Sequence, residues 1–172
     1  MHPYELCSLL KERREDSIVK ISPGSLYRTI ERLVEDGLAE PLGTEREGKR
    51  PERTTYAITQ AGRKALQDGI STMLGAPVNE YPRFPVALSE AHNLPLEQVL
   101  RHLTERAEQL AAQVEEKDRV LRKVRARGVP EAYWFVVDYL RTVQFAELDW
   151  IRTLITRLEN KEIPWPLETT NP

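Results

Sequence analysis

The sequence predicts a mainly α-helical protein with a small β-wing near one end and a helical hairpin at the other. Three observations lead to this fold class. A capped amphipathic segment begins at Ser22, two short β-rich segments lie between Leu38 and Ile58, and two long stretches after Pro95 keep a helical period. The 172 residues are enough for two small domains.

Two short helices are predicted first. The segment from His2 to Arg14 has an apolar side. Ser22 is a good N-cap residue, and Pro23 suits the first helical position because its missing N–H costs no hydrogen bond there. We expect the second helix to run to about Asp36, since Gly37 stands where a left-handed helix stop is common.

The second helix is amphipathic. Leu26, Ile30 and Leu33 recur at helical spacing and form its buried stripe. At about 100° per residue, the opposite face carries Ser25, Arg28 and Arg32.

Directly after Gly37 the apolar residues no longer recur at helical spacing. The segment 38–42 predicts an edge strand because Pro41 cannot donate a hydrogen bond to a ladder, and 54–58 predicts the returning strand. The hydrophilic tip between them, 43–53, carries the basic residues Arg46, Lys49, Arg50 and Arg53. Thr59 then caps a helix that runs to about Leu74.

The order of the predicted elements is that of a winged helix-turn-helix: a helix, a turn, a capped helix and two strands with a basic tip. The major groove of DNA admits an α-helix and presents a distinct pattern for each base pair, and a basic tip suits phosphate contact. Each motif alone has a purely structural interpretation, as a common capped helix or a solvated loop, so the ordered combination carries the hypothesis. We expect DNA contacts from Ser22, Gly24, Ser25, Tyr27, Arg28, Arg32, Lys49, Arg50 and Arg53.

The rest of the chain predicts a connector and a dimerisation domain. The proposed boundaries are 1–74 for the DNA-binding domain, 75–95 for a Pro-rich packed connector and 96–172 for the helical domain. Apolar positions keep a helical period from Pro95 to about Arg127, Gly128 and Pro130 break it, and a second helix ends before Pro164. A lone hairpin of this kind leaves apolar surface exposed, so we expect it to pair with a copy of itself.

The second long helix is rich in aromatic residues. The structural interpretation is packing within the hairpin and against a dimer mate. The alternative is an apolar effector pocket near the dimer interface, for which the candidate residues are Trp134, Tyr139 and Trp150.

Other functions find little support in the composition. Net charge is −2, and the first 70 residues carry 12 basic and 12 acidic side chains, so DNA binding must depend on local charge placement. The three histidines and the single cysteine do not form a metal-ligand pattern, and no catalytic motif is present. We therefore expect no cofactor, no metal, no enzymatic activity, no membrane segment, no secretory signal and a cytoplasmic location. The alternative function is a dimeric protein-interaction scaffold.

Several short strings form a spaced set that extends over most of the chain: residues 2–6 (HPYEL), 21–33 (ISPGSLYRTIERL), 35–38 (EDGL), 56–62 (YAITQAG), 84–88 (FPVAL), 103–106 (LTER) and 147–151 (ELDWI). Together they resemble the PadR family of transcriptional regulators, and the last three resemble its longer subgroup.

The resemblance implies a winged-helix homodimer that usually acts as a repressor at a pseudo-palindromic operator. It also implies that the helix after Ser22 enters the major groove and that the C-terminal helices dimerise. Some members respond to small aromatic or hydrophobic effectors. Members normally begin with a further apolar helix ahead of the segment that here starts at His2, and loss of that helix would expose apolar faces at 4–10 and 26–34.

Overall fold

The structure, a computed structural model, describes residues 1–13, 15, 18–45 and 53–166. The chain divides into two compact units, Met1–Glu80 and Tyr81–Pro172. The division falls inside the predicted connector, 75–95, and assigns residues 81–95 to the C-terminal unit. The predicted mainly helical fold with a small β-wing is confirmed.

The N-terminal unit contains three helices and a two-stranded sheet. Helix α1 spans Pro3–Glu12, α2 Pro23–Glu35 and α3 Gln60–Gly75, while β1 spans Ala39–Glu45 and β2 Arg53–Ile58. Gly37 has a φ of 69°, as a left-handed stop after α2 requires.

The two strands form an antiparallel hairpin, the wing. Ala39 pairs with Ile58 and Thr44 with Thr54, with an irregularity between Pro41 and Gly43. β1 therefore extends further than the predicted 38–42, because a bulge at Leu42 lets the pairing continue beyond Pro41.

The C-terminal unit is built on a long helical hairpin. Helix α5 spans Leu96–Ala126 and α6 spans Phe135–Glu159, and Gly128, at a φ of 65°, turns the chain between them. The buried contacts come from one stripe of each helix: Val99, Leu103, Ala107, Leu110, Leu148, Ile151 and Leu158. The described helices include none that is both long and apolar enough to cross a membrane.

A short helix in the predicted connector was not anticipated. Helix α4 spans Arg83–Ser89, and its Phe84 and Leu88 pack against the core of the hairpin. Two other apolar residues expected to be packed are exposed: Tyr81 at 80% and Val86 at 63%. Val86 lies on the side of α4 opposite Phe84 and Leu88, and Tyr81 precedes the helix.

Candidate nucleic-acid interface

Helix α2 begins with a reciprocal cap between two serines. The Ser22 hydroxyl oxygen accepts from the backbone N–H of Ser25 at 3.2 Å, and the backbone N–H of Ser22 donates to the Ser25 hydroxyl oxygen at 3.1 Å. The hydroxyls also contact each other at 2.9 Å, and the Ser25 hydroxyl donates to the carbonyl oxygen of Ser22 at 2.9 Å. The first turn of α2 is therefore fixed by its own side chains.

The outward face of α2 is polar and accessible. Arg28 and Arg32 are exposed, and neither forms an ion pair with any described residue. Thr29 is exposed on the same face, although it is not among the residues predicted to contact DNA. Tyr27 is also exposed, but lies on the flank of the helix, about 100° from Arg28.

The start of α2 offers close approach to a partner. Gly24 is exposed, and a Cβ added there would meet nothing within 4 Å. The fold therefore does not require glycine at this position. A glycine here removes the bulk that would hold another molecule away from the backbone.

The opposite face of α2 is held by apolar contacts and by the junction between the wing and α3. Ile30 is buried, and Leu26 and Leu33 are half-buried. The Thr59 hydroxyl donates to the carbonyl oxygen of Gly37 at 2.8 Å and accepts from the backbone N–H of Gly62 at 3.0 Å. This one side chain caps α3, as predicted, and ties it to the end of α2.

The structure describes the two strands of the wing but not the tip between them. The Thr44 and Thr54 hydroxyls lie 3.0 Å apart across the two strands. Arg53 pairs with Glu45 through the backbone at the outer end of the hairpin. Arg46, Lys49 and Arg50 lie outside the described residues, so the predicted basic contacts of the tip stay predictions.

A partly open apolar cavity of about 450 Å³ lies between the elements of the N-terminal unit. Every element of the unit contributes to the wall: Leu6 from α1, Ile30 and Leu33 from α2, Ala39 from β1, Tyr56 and Ile58 from β2, and Ala65 and Leu66 from α3. The cavity contains none of the three predicted effector residues.

Those three aromatic residues do not meet in one place. Trp134 is buried, donates from Nε1 to the carbonyl oxygen of Val129 at 2.9 Å, and lies under the guanidinium of Arg125 at 4.9 Å from its ring centroid. It therefore packs the hairpin turn. Tyr139 and Trp150 are 64% and 50% exposed on one side of α6, separated by about 16 Å along its axis.

No group of three metal-ligating side chains that could hold an ion is found among the described residues. Cys7 is buried on α1, where it acts as a small apolar side chain.

Residues 1–68 match the family model of the transcriptional regulator PadR-like family, which confirms the resemblance that the motifs indicate. No curated protein matches the chain. Solved structures match over nearly its whole length, and at these sequence identities they show the fold alone.

Three such structures illustrate the match. Bacillus subtilis PadR in complex with operator DNA has 16% identity and a TM-score of 0.76, with 92% of this chain and 89% of that chain covered. The same protein in complex with p-coumaric acid has 15% identity and a TM-score of 0.72, with 92% of this chain and 90% of that chain covered. A PadR-like transcriptional regulator from Bacillus cereus has 16% identity and a TM-score of 0.65, with 94% of this chain and 91% of that chain covered. The chain thus has the fold of a family that includes DNA-bound regulators.

Proposed function

We propose that this protein is a cytoplasmic, homodimeric, sequence-specific DNA-binding regulator that represses transcription. The observation that carries the proposal is the exposed face of α2, with Arg28, Thr29 and Arg32 beside a self-capped helix start that a glycine leaves uncrowded. An exposed helix of this kind suits the major groove, and the adjacent hairpin suits the DNA backbone.

The homodimer is supported by the outer face of α6. Five residues at helical spacing are exposed there: Phe135, Tyr139, Val143, Ala146 and Trp150. The inner face of the same helix buries Leu148, Ile151 and Leu158. A helix that is apolar on both sides is normally covered on both sides, and a second copy supplies the same surface by two-fold symmetry.

A dimer suits a pseudo-palindromic operator. Two recognition helices about 34 Å apart would enter successive major grooves on one side of the duplex. Such a dimer would repress transcription by excluding polymerase from the occupied site.

Relief of repression by a small aromatic or hydrophobic effector belongs to the same proposal. It is supported by the similarity in fold to PadR crystallised with p-coumaric acid. Tyr139 and Trp150 remain the candidate contacts, because both present aromatic surface on the face proposed for the dimer. An effector changes DNA affinity only if it binds the competent and incompetent geometries with different affinity.

The proposal is tested by fluorescence anisotropy with DNA from immediately upstream of the gene and with unrelated DNA of equal length. We expect preference for the upstream fragment, a stoichiometry of one dimer per site and a steep loss of affinity with salt, because phosphate contacts release counterions. Arg28→Ala should lower the affinity at least about fivefold, as expected for a base contact worth about 1–3 kcal/mol.

Arg122→Ala is the matched control, since Arg122 is exposed on α5, outside the proposed interface. It should leave the affinity unchanged. Equal binding to the two fragments, or no dependence on salt, would favour the protein-interaction scaffold instead.

A further inference from the structure

The hydroxyl of Ser25 has no remaining hydrogen-bonding capacity. A serine hydroxyl offers one donor and two acceptor lone pairs. In Ser25 the donor goes to the carbonyl oxygen of Ser22, and the oxygen accepts from both the backbone N–H and the hydroxyl of Ser22. A hydrogen bond donated by this side chain to DNA would therefore replace the one that it donates to the carbonyl oxygen of Ser22.

The hydroxyl of Ser22 is nearly as restricted. Its proton is donated to the Ser25 oxygen, and the Ser22 oxygen accepts from the backbone N–H of Ser25. One acceptor lone pair remains. Phosphate oxygens are acceptors only, so this hydroxyl would have to give up its hydrogen bond to the Ser25 oxygen before it could donate to them.

Thr29 differs from these two serines. Its side chain is exposed, and its hydroxyl forms no hydrogen bond with any described residue. Thr72 and Thr156, by contrast, donate to carbonyl oxygens one turn earlier in their helices, at 3.0 and 3.1 Å. Thr29 thus keeps its hydroxyl and its methyl group available for a partner on the outward face.

Arg28 and Thr29 flank the middle of that face. With about 100° between successive residues, they lie about 60° and 40° on either side of the line through Ser25. Arginine suits the O6 and N7 atoms of guanine, and the threonine methyl group suits the C5 methyl group of thymine.

We propose, on the basis of the function above, that Arg28 and Thr29 are the base-reading residues of α2. Arg28 reads a guanine and Thr29 a neighbouring thymine in each half-site. Ser22 and Ser25 position the helix by capping it, and their hydroxyls do not read bases. The specificity of the regulator therefore lies in the second turn of α2.

The test uses the full chain and duplexes derived from its preferred upstream site, with each base pair replaced in turn and each thymine also replaced by deoxyuridine. Loss of one thymine methyl group should weaken binding by the unmodified protein about fourfold at one position per half-site, as burial of a methyl-sized group predicts. Thr29→Ser keeps the hydroxyl and should bind thymine and deoxyuridine equally there. Arg28→Ala should lose the preference for guanine at a neighbouring position.

Thr72→Ser, at an exposed threonine of α3 outside the predicted DNA contacts, is the matched control and should keep every base preference. Ser25→Ala tests the capping role. It should lower the thermal stability of the N-terminal unit through loss of the cap, yet keep every base preference at a temperature where circular dichroism shows it folded. Altered base preference in Ser25→Ala, or unaltered preference in Thr29→Ser, would overturn the assignment while the proposed function stands. If the unmodified protein has no base preference at all, the proposed function itself fails.

Discussion

At the scale of single residues, Gly62 allows α3 to approach the end of α2 closely. A Cβ at this position would overlap the carbonyl oxygen of Leu38 and lie 2.8 Å from Cγ1 of Ile58. That carbonyl also accepts from the backbone N–H of Thr59 at 3.1 Å, so it cannot move aside without losing a hydrogen bond. We expect Gly62→Ala to destabilise the N-terminal unit by about 1–3 kcal/mol, the usual cost of overpacking.

Gly69→Ala on the same helix is the control, because a Cβ there meets nothing within 4 Å. It should stabilise the unit by up to about 1 kcal/mol through helix propensity. Thermal unfolding followed by circular dichroism measures both effects. Tryptophan fluorescence provides an internal reference, since Trp134, Trp150 and Trp165 all lie in the C-terminal unit. Equal stability of the two variants would contradict the close approach at Gly62.

The residues predicted best from sequence are those whose roles are local. Ser22, Gly37 and Thr59 act on the backbone within a few positions of themselves, and their geometry follows from residue type. The role of Ser25 was not predicted, because its usual counterpart in a capping box is Glu or Gln. The outward position of Thr29 follows from helical periodicity, but its unused hydroxyl is visible only in the structure.

At the scale of elements, α4 shows why composition can hide a helix. Pro82 and Pro85 suggested a connector, yet Pro85 lies in the first turn of α4, where the backbone N–H has no partner within the helix and proline is tolerated. The anchor of α4 is also non-local. The Arg106 guanidinium lies 3.8 Å from the ring centroid of Phe84 and donates from Nε to Glu147 Oε1 at 2.8 Å.

This anchor connects α4, α5 and α6 through one side chain. Glu147→Gln keeps the shape of the side chain but removes the charge that Arg106 pairs with. Because both side chains are about one-third exposed, we expect a loss of about 1 kcal/mol in the stability of the C-terminal unit. Denaturant unfolding followed by tryptophan fluorescence measures it.

Glu105→Gln provides the comparison for that experiment. Glu105 pairs with His102 at 3.3 Å on the surface of α5, where both side chains are more than half exposed. Its loss should change stability by only a few tenths of a kcal/mol. An equal effect of the two substitutions would show that the anchor contributes no more than a surface pair.

At the scale of the whole molecule, the inner and outer faces of α6 differ in how much of their role the sequence predicts. The inner face was predictable because its apolar residues keep a helical period that matches α5. The outer face was predictable only as an excess of aromatic residues, which fits both packing against a partner and binding of an effector. The structure separates Trp134, which packs the hairpin turn, from Tyr139 and Trp150, which lie exposed on α6.

The exposed outer face provides a direct test of the dimer. We expect Tyr139→Glu to convert a dimer into a monomer, because two carboxylates would be buried at a two-fold apolar interface without partners. Ala112→Glu, at an exposed position of α5, should remain dimeric. Size-exclusion chromatography with light scattering distinguishes the two outcomes.

The same variant links assembly to DNA binding. A Tyr139→Glu monomer retains α2 and its proposed base contacts, so its residual binding should resemble that of one half-site, with a smaller salt dependence because fewer phosphates are contacted. If Tyr139→Glu remains dimeric with unchanged DNA affinity, the outer face of α6 is not the interface. If it is monomeric yet binds the upstream site as tightly as the unmodified protein, the DNA-binding unit does not need the dimer to recognise its site.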